Sequence, residues 1–202
     1  MIAQAQPADW ILATTNPGKL SEYRELLAGT PITLEALDPA SGAVPEESGA
    51  TFVENALIKA RHACRVSNRP AMADDSGLCV TALTGAPGVH SARYAGSNAS
   101  DRDNLERLLS ELSGIEPARR DAVFHCVIVA LEHPDDPAPV IATGQWRGRI
   151  ATAPRGKNGF GYDPVFYVLE LEMTAAELPS ARKNAISHRA RACAELRRQL
   201  EV

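Results

Sequence analysis

Residues 122–131, AVFHCVIVAL, are apolar at nearly every position. A strand with one wet face alternates apolar and polar. An unbroken run of this length fits a strand covered on both faces, at the centre of a sheet. That strand needs layers above and below it. Four stretches patterned as helices can supply them. Asn16 and Pro17 cap and open the first, with Leu20, Tyr23 and Leu27 at helical spacing. Thr51 and Glu54 form a capping box for a helix running to about Ser67, and Ser100 and Asp103 form another ahead of Leu105, Leu108, Leu109 and Leu112. The last begins near Ala185 and carries Ala192, Leu196 and Leu200 on one side. Further strands are expected at 10–15, 32–36, 71–73, 78–83, 140–150 and 165–168. The turn-rich 135–139 makes 140–150 a hairpin partner of the central strand. Strands and helices mixed in this way, with hairpin signals, argue an α/β class with a mixed sheet.

At 202 residues the chain has room for one domain with a sizeable core, 1–202, or two small lobes. Lys and Arg number 21 against 25 Asp and Glu, a net charge of -4 that disfavours a nucleic-acid partner, although a local basic site for one small polyanion fits. No apolar run approaches the length of a membrane span, and the first nine residues do not read as a signal peptide. Cys64, Cys79, Cys126 and Cys193 are scattered, without metal-ligand spacing, and read as inert thiols in a reducing cytoplasm.

Four constellations can carry chemistry. Thr14, Thr15, Asn16, Pro17, Gly18 and Lys19 lie where a strand hands over to a helix, whose outward N–H groups favour anions, with Lys19 one turn in. The spacing is not that of a Walker A loop. Glu46, Glu47, Asp74 and Asp75 form an acid set. Two adjacent acids at the end of a buried strand are costly unless solvated or neutralised, and with substrate phosphates they suit Mg²⁺. Gly159-Phe160-Gly161-Tyr162-Asp163-Pro164 presents an aromatic between glycines, able to stack on a base. Lys183 with Ser187, His188 and Arg189 offers donors to a carbonyl or phosphate. Each alone also fits a plain alternative: a helix cap, an Asp-rich turn, a packed aromatic turn, a solvated helix face.

Six blocks in order change the weight of these fragments: ATTNPGK, EESGATFVENALIKARHA, ADDSGL, GAPGVHSARYAG, GFGYDP and AISHRA. With them the chain resembles the inosine triphosphate pyrophosphatase family, over nearly its whole length. Maf-type pyrophosphatases are related, but their motifs differ from GFGYDP and SHR. The resemblance implies an elongated, two-lobed α/β fold with a central mixed sheet flanked by helices and an active-site cleft between the lobes. It also implies a cytoplasmic homodimer that uses Mg²⁺ to hydrolyse ITP, dITP and XTP to the monophosphate and pyrophosphate, clearing them from the nucleotide pool.

Carried over residue by residue, Thr14, Asn16 and Lys19 would hold the triphosphate, with Thr15, Pro17 and Gly18 in the same loop. Asp75 would be the general base, or would position the attacking water through the metal; Glu47 and Asp75 would be the Mg²⁺ ligands, with Asp74 assisting. Lys59 would face the phosphates or the acid pair, and Ser76 the nucleotide. Phe160 would stack on the purine, with Gly161, Tyr162 and Asp163 completing that wall. Lys183, His188 and Arg189 would read the base edge. An Arg189 aimed at O6 of hypoxanthine would meet donor against donor with adenine, a mismatch able to discriminate on the order of 10⁴-fold. The rival expectation is a purine nucleotide-binding or sensing module without turnover. The presence of both Asp75 and Lys19 argues against it.

Overall fold

The computed structural model describes residues 8–14, 16–38, 40 and 45–202. Seven strands form one sheet in the order β2-β1-β3-β4-β5-β6-β7. They are β1 (Ala8–Leu12), β2 (Ile32–Ala36), β3 (Ala71–Val80), β4 (Asp121–Leu131), β5 (Val140–Ile150), β6 (Phe166–Val168) and β7 (Met173–Thr174). β1 pairs in parallel with β2 and β3, whereas β6 pairs antiparallel with β5 and β7, so the sheet is mixed as expected. The helices are α1 (Pro17–Leu26), α2 (Phe52–Ser67), α3 (Asp101–Glu111), α4 (Ser180–Ile186) and α5 (His188–Leu200).

Both expected capping boxes are formed. Thr51 and Glu54 satisfy each other's backbone N–H groups at the start of α2, and Ser100 and Asp103 do so at α3. These reciprocal bonds fix where each helix begins, since the first turn has no intrahelical acceptors for its own N–H groups.

Three boundaries differ from the sequence expectation. β1 ends at Leu12, where Thr14 and Asn16 begin a side-chain-stabilised turn. The acids at 74–75 do not end a strand. β3 runs unbroken for ten residues, with Asp74 and Asp75 buried in its middle. The final helix is two, α4 and α5, broken at Ser187 with an extended ψ of 167°. At the acids the deciding partners come from other elements, since Lys19 of the first helix and Lys59 of the second pair with Asp74 and Asp75.

The chain divides into two compact units. The first holds the residues up to Asp75, Cys126–Gly144 and Arg189–Val202. Its core includes Trp10, Leu12, Tyr23, Leu34, Met72, Ile128, Ala192 and Leu196. A second cluster lies under α2, where Ala56, Ala60, Ala63 and Cys64 meet Ile11, Ala73, Val129 and Leu131. The small side chains of α2 bring its backbone close to the sheet. The second unit holds Ser76–His125 and Gln145–His188. Its core joins Leu105, Leu108 and Leu112 of α3 to Phe124, Trp146, Ile150, Val165 and Phe166. Burial at this density contributes roughly 1.5–3 kcal/mol per large apolar side chain.

Candidate active site

In the first unit the site begins at the N-terminus of α1. The Thr14 hydroxyl accepts the Asn16 N–H at 3.1 Å, and the Asn16 side chain accepts the Lys19 N–H at 3.1 Å. Pro17 takes the first helical position, where no N–H is needed. Thr14, Asn16, Pro17, Gly18 and Lys19 therefore form one turn stiffened by its own side chains. Thr15 lies outside the described residues.

Lys19 reaches from this turn to β3, where its Nζ donates to both oxygens of Asp74, at 3.1 and 2.9 Å. Asp74 is almost fully buried, and so costly to ionise without such a partner. Arg189, at the start of α5, bonds Glu22 at 3.0 Å and brings its Nε to 3.9 Å from Asp74. Burial opposes the Arg189 charge, but Asp74 and Glu22 outweigh it and hold the guanidinium protonated. Arg189 was expected at the base edge. In the structure its guanidinium adjoins the Lys19–Asp74 pair.

One residue further along β3, Asp75 accepts from Lys59 at 2.8 Å, and the same Nζ lies 2.9 Å from Glu47. Lys59 thus bridges the two carboxylates expected to ligate a metal. Burial pushes the Asp75 carboxyl above the usual aspartate range; Lys59 pulls it back, and Glu47 adds to the rise. Burial works against the charge of Lys59, yet Asp75, Asp74 and Glu47 raise its pKa overall. Glu46 is exposed and contributes a carbonyl to the Ser48 N–H.

Glu47 and Asp75 converge on one cation within 3 Å, so the donor set suits a hard divalent ion. Among the described residues no cluster of three or more His, Cys, Asp or Glu could hold a metal. Two carboxylates leave most of an octahedral shell to water and phosphate oxygens, the usual arrangement for Mg²⁺ that arrives with a nucleotide.

The second unit holds the aromatic set. Gly159 and Gly161 have φ of 73° and 62°, and a Cβ on Gly159 would stand 2.0 Å from an Asp163 oxygen, so the turn requires glycine there. Asp163 accepts the Phe160 N–H at 3.0 Å and Lys183 Nζ at 2.6 Å. The Lys183 ammonium lies 4.9 Å from the Phe160 ring centroid, a cation–π contact that fixes the ring. Gly161 N–H donates to Asp101 at 2.8 Å. His188 is buried and stacks on Phe124 at 4.7 Å between ring centroids. Ser76 follows Asp75 in β3 and is half-buried. Tyr162 was expected in the base wall. Its ring is buried and its hydroxyl donates to the Ser91 carbonyl at 2.8 Å, so it props the turn from below.

Sequence reasoning missed Glu22, Asn55 and Asp101. Asn55 stands four residues before Lys59 on α2, the spacing that places two side chains on one helical face, and that signal was available. Glu22 and Asp101 carry no comparable signal, because their partners are set by tertiary structure.

The family model described as the Ham1 family matches residues 10–199. A protein named dITP/XTP pyrophosphatase from Idiomarina loihiensis is 53% identical, over 94% of this chain and 96% of that relative. The structure of a HAM1 protein from Coxiella burnetii superposes with a TM-score of 0.89 at 50% identity, covering 96% of this chain and 98% of that one. The Staphylococcus aureus Ham1 protein gives 0.84 at 40% identity, with the same two coverages. An α/β protein with a mixed sheet, a cation-bridged acid pair and a glycine-framed aromatic turn is the class defined by the geometry. Within that class, this chain belongs to the Ham1 family.

Proposed function

We propose that the chain hydrolyses non-standard purine nucleoside triphosphates, namely dITP, XTP and ITP, to the monophosphate and pyrophosphate, in a Mg²⁺-dependent reaction. The observation that carries the reading is Lys59 held between Glu47 and Asp75, with Lys19 on the adjacent Asp74. Three cations and four carboxylates packed in one unit make a site whose pairs can be exchanged for those of a polyanion and its metal. The relatives named dITP/XTP pyrophosphatase support the substrate class.

In this reading, water attacks the α-phosphorus. A new phosphorus–oxygen bond forms, the α–β anhydride bond breaks, and the proton of the water passes to Asp75. The turn Thr14–Lys19 holds the triphosphate, and the Lys19 ammonium neutralises charge on the departing pyrophosphate. Lys59 exchanges carboxylate for phosphate oxygens. Glu47 and Asp75 would hold Mg²⁺, which when bound supplies charge neutralisation at the phosphoryl oxygens.

At the other end of the substrate, Phe160 stacks on the purine. Lys183 offers a donor to O6, which hypoxanthine and xanthine present and adenine replaces with an amino group. Ser76 and His188 complete the nucleoside contacts. Arg189, committed to Glu22 and Asp74, serves the phosphate end. The reading also includes a homodimer in the cytoplasm, on the strength of the family resemblance and four free cysteines. No helix among the described residues is long and apolar enough to cross a membrane.

The test is product analysis after incubation with dITP, XTP, ITP, ATP and GTP, with Mg²⁺ and with EDTA. Metal-dependent monophosphate plus pyrophosphate from the first three supports the reading. Release of single phosphate, or equal use of ATP, refutes it. Tight dITP binding without any product would favour a sensing module.

A further inference from the structure

We infer that Asn55 is a positioning residue that ties the segment carrying Glu47 to Asp75, independently of the Lys59 bridge. The inference rests on the reading of Glu47 and Asp75 as one functional acid pair. Asn55 lies in the first turns of α2 and is completely buried. Its Oδ1 accepts the Gly49 N–H at 2.8 Å. Its Nδ2 faces the second oxygen of Asp75 at 3.5 Å, while Lys59 holds the first. Only one amide orientation satisfies both neighbours. The reverse would set NH₂ against a backbone N–H and a carbonyl against a carboxylate.

The approach of the segment to the helix is tight from its own side as well. A Cβ on Gly49 would stand 2.6 Å from the Glu54 Cβ and 2.7 Å from Asn55 Oδ1. Gly49 is two residues from Glu47, so the backbone that bears Glu47 is pinned to α2 beside Asp75. The same two acids are therefore linked twice, once by the charge of Lys59 and once by a neutral amide. A charged bridge is lost when a polyanion and a cation compete for its members. The amide keeps its hold on the segment, because the Gly49 N–H that it accepts is a backbone donor that neither a polyanion nor a cation displaces. Asn55 keeps the acid pair at its spacing in the state in which Lys59 has turned to phosphate.

The test breaks this link from both sides, with Asn55→Leu and Gly49→Ala, and then with both together. Three readouts are taken: Mn²⁺ affinity by electron paramagnetic resonance without nucleotide, kcat/KM on dITP, and hydrogen exchange of the segment 45–50. Partners that orient ligating groups are typically worth about 10–100-fold in affinity or activity. Each single variant should lose that much in Mn²⁺ affinity and in kcat/KM, with faster exchange at 45–50. The double variant should lose no more than the worse single one, because both remove one link. If exchange quickens while Mn²⁺ affinity and kcat/KM stay unchanged, Asn55 is structural only and the inference fails. Additive losses refute it as well. If Asn55→Leu does not fold, Gly49→Ala decides alone. A wild-type protein that turns over no nucleotide defeats the proposed function, yet Mn²⁺ affinity and exchange still judge Asn55. A wild type that hydrolyses dITP without binding Mn²⁺ defeats the metal assignment, and kcat/KM then judges it.

Discussion

Replacing Arg189 with Met separates two roles that one arginine could serve. The guanidinium is only 6% exposed, its bond to Glu22 is 3.0 Å long, and Asp74 lies 3.9 Å away. Methionine fills much of the volume and removes the charge. Asp74 keeps its two bonds from Lys19, so its loss is partial. Glu22 loses its partner, but at 17% exposure it recovers some hydration. Breaking a buried pair costs about 3–5 kcal/mol, and these two compensations bring the expected cost to about 2–4 kcal/mol. For a chain of this size each kcal/mol shifts Tm by roughly 2–4 °C, so thermal unfolding should fall by roughly 4–16 °C. With Lys19 and Asp74 less well held, kcat/KM should drop by a similar factor on dITP and on the residual ATP activity. Thermal denaturation with steady-state kinetics on both nucleotides measures this. An unchanged Tm with loss confined to dITP would refute the reasoning and return Arg189 to the base edge.

Asp75→Asn should nearly abolish pyrophosphate release while circular dichroism stays native; full activity in a folded variant would remove Asp75 from the mechanism. Lys183→Met leaves Asp163 buried with the Phe160 N–H but without its cation, both side chains having been at most 6% exposed. It should cost about 3–5 kcal/mol in urea unfolding and raise KM for dITP, with Lys183→Arg failing to rescue because a planar fork does not match a compact ammonium. His125 carries a pKa lowered by burial and by Arg147, so the unfolded chain takes up its proton first as pH falls. Its contribution is therefore lost as pH falls from about 6.5, and His125→Gln should shrink the difference in urea midpoint between pH 7 and pH 5.

Much of this fold was legible in local chemistry. The cap residues Thr51, Ser100 and Asn16 mark helix starts because an N-terminal turn must find acceptors within a few residues of itself. The apolar run at 122–131 announced a central strand, since covering it on both faces is the only way to keep it from water. Thr14, Asn16, Lys19, Glu47, Lys59 and Asp75 were legible as a set through the family motifs. What each side chain is bonded to was not. Asp74 and Asp75 looked like a strand end, because adjacent acids are costly inside a sheet; Lys19 from α1 and Lys59 from α2 remove that cost, and β3 continues. Tyr162 and Arg189 carry no local signal for the protein partners they meet, the Ser91 carbonyl for the first and Glu22 for the second. Caps, periodicity and motifs act over a few residues, so the sequence alone determines them. A buried charge takes its partner from another element, and only the folded chain decides which one arrives.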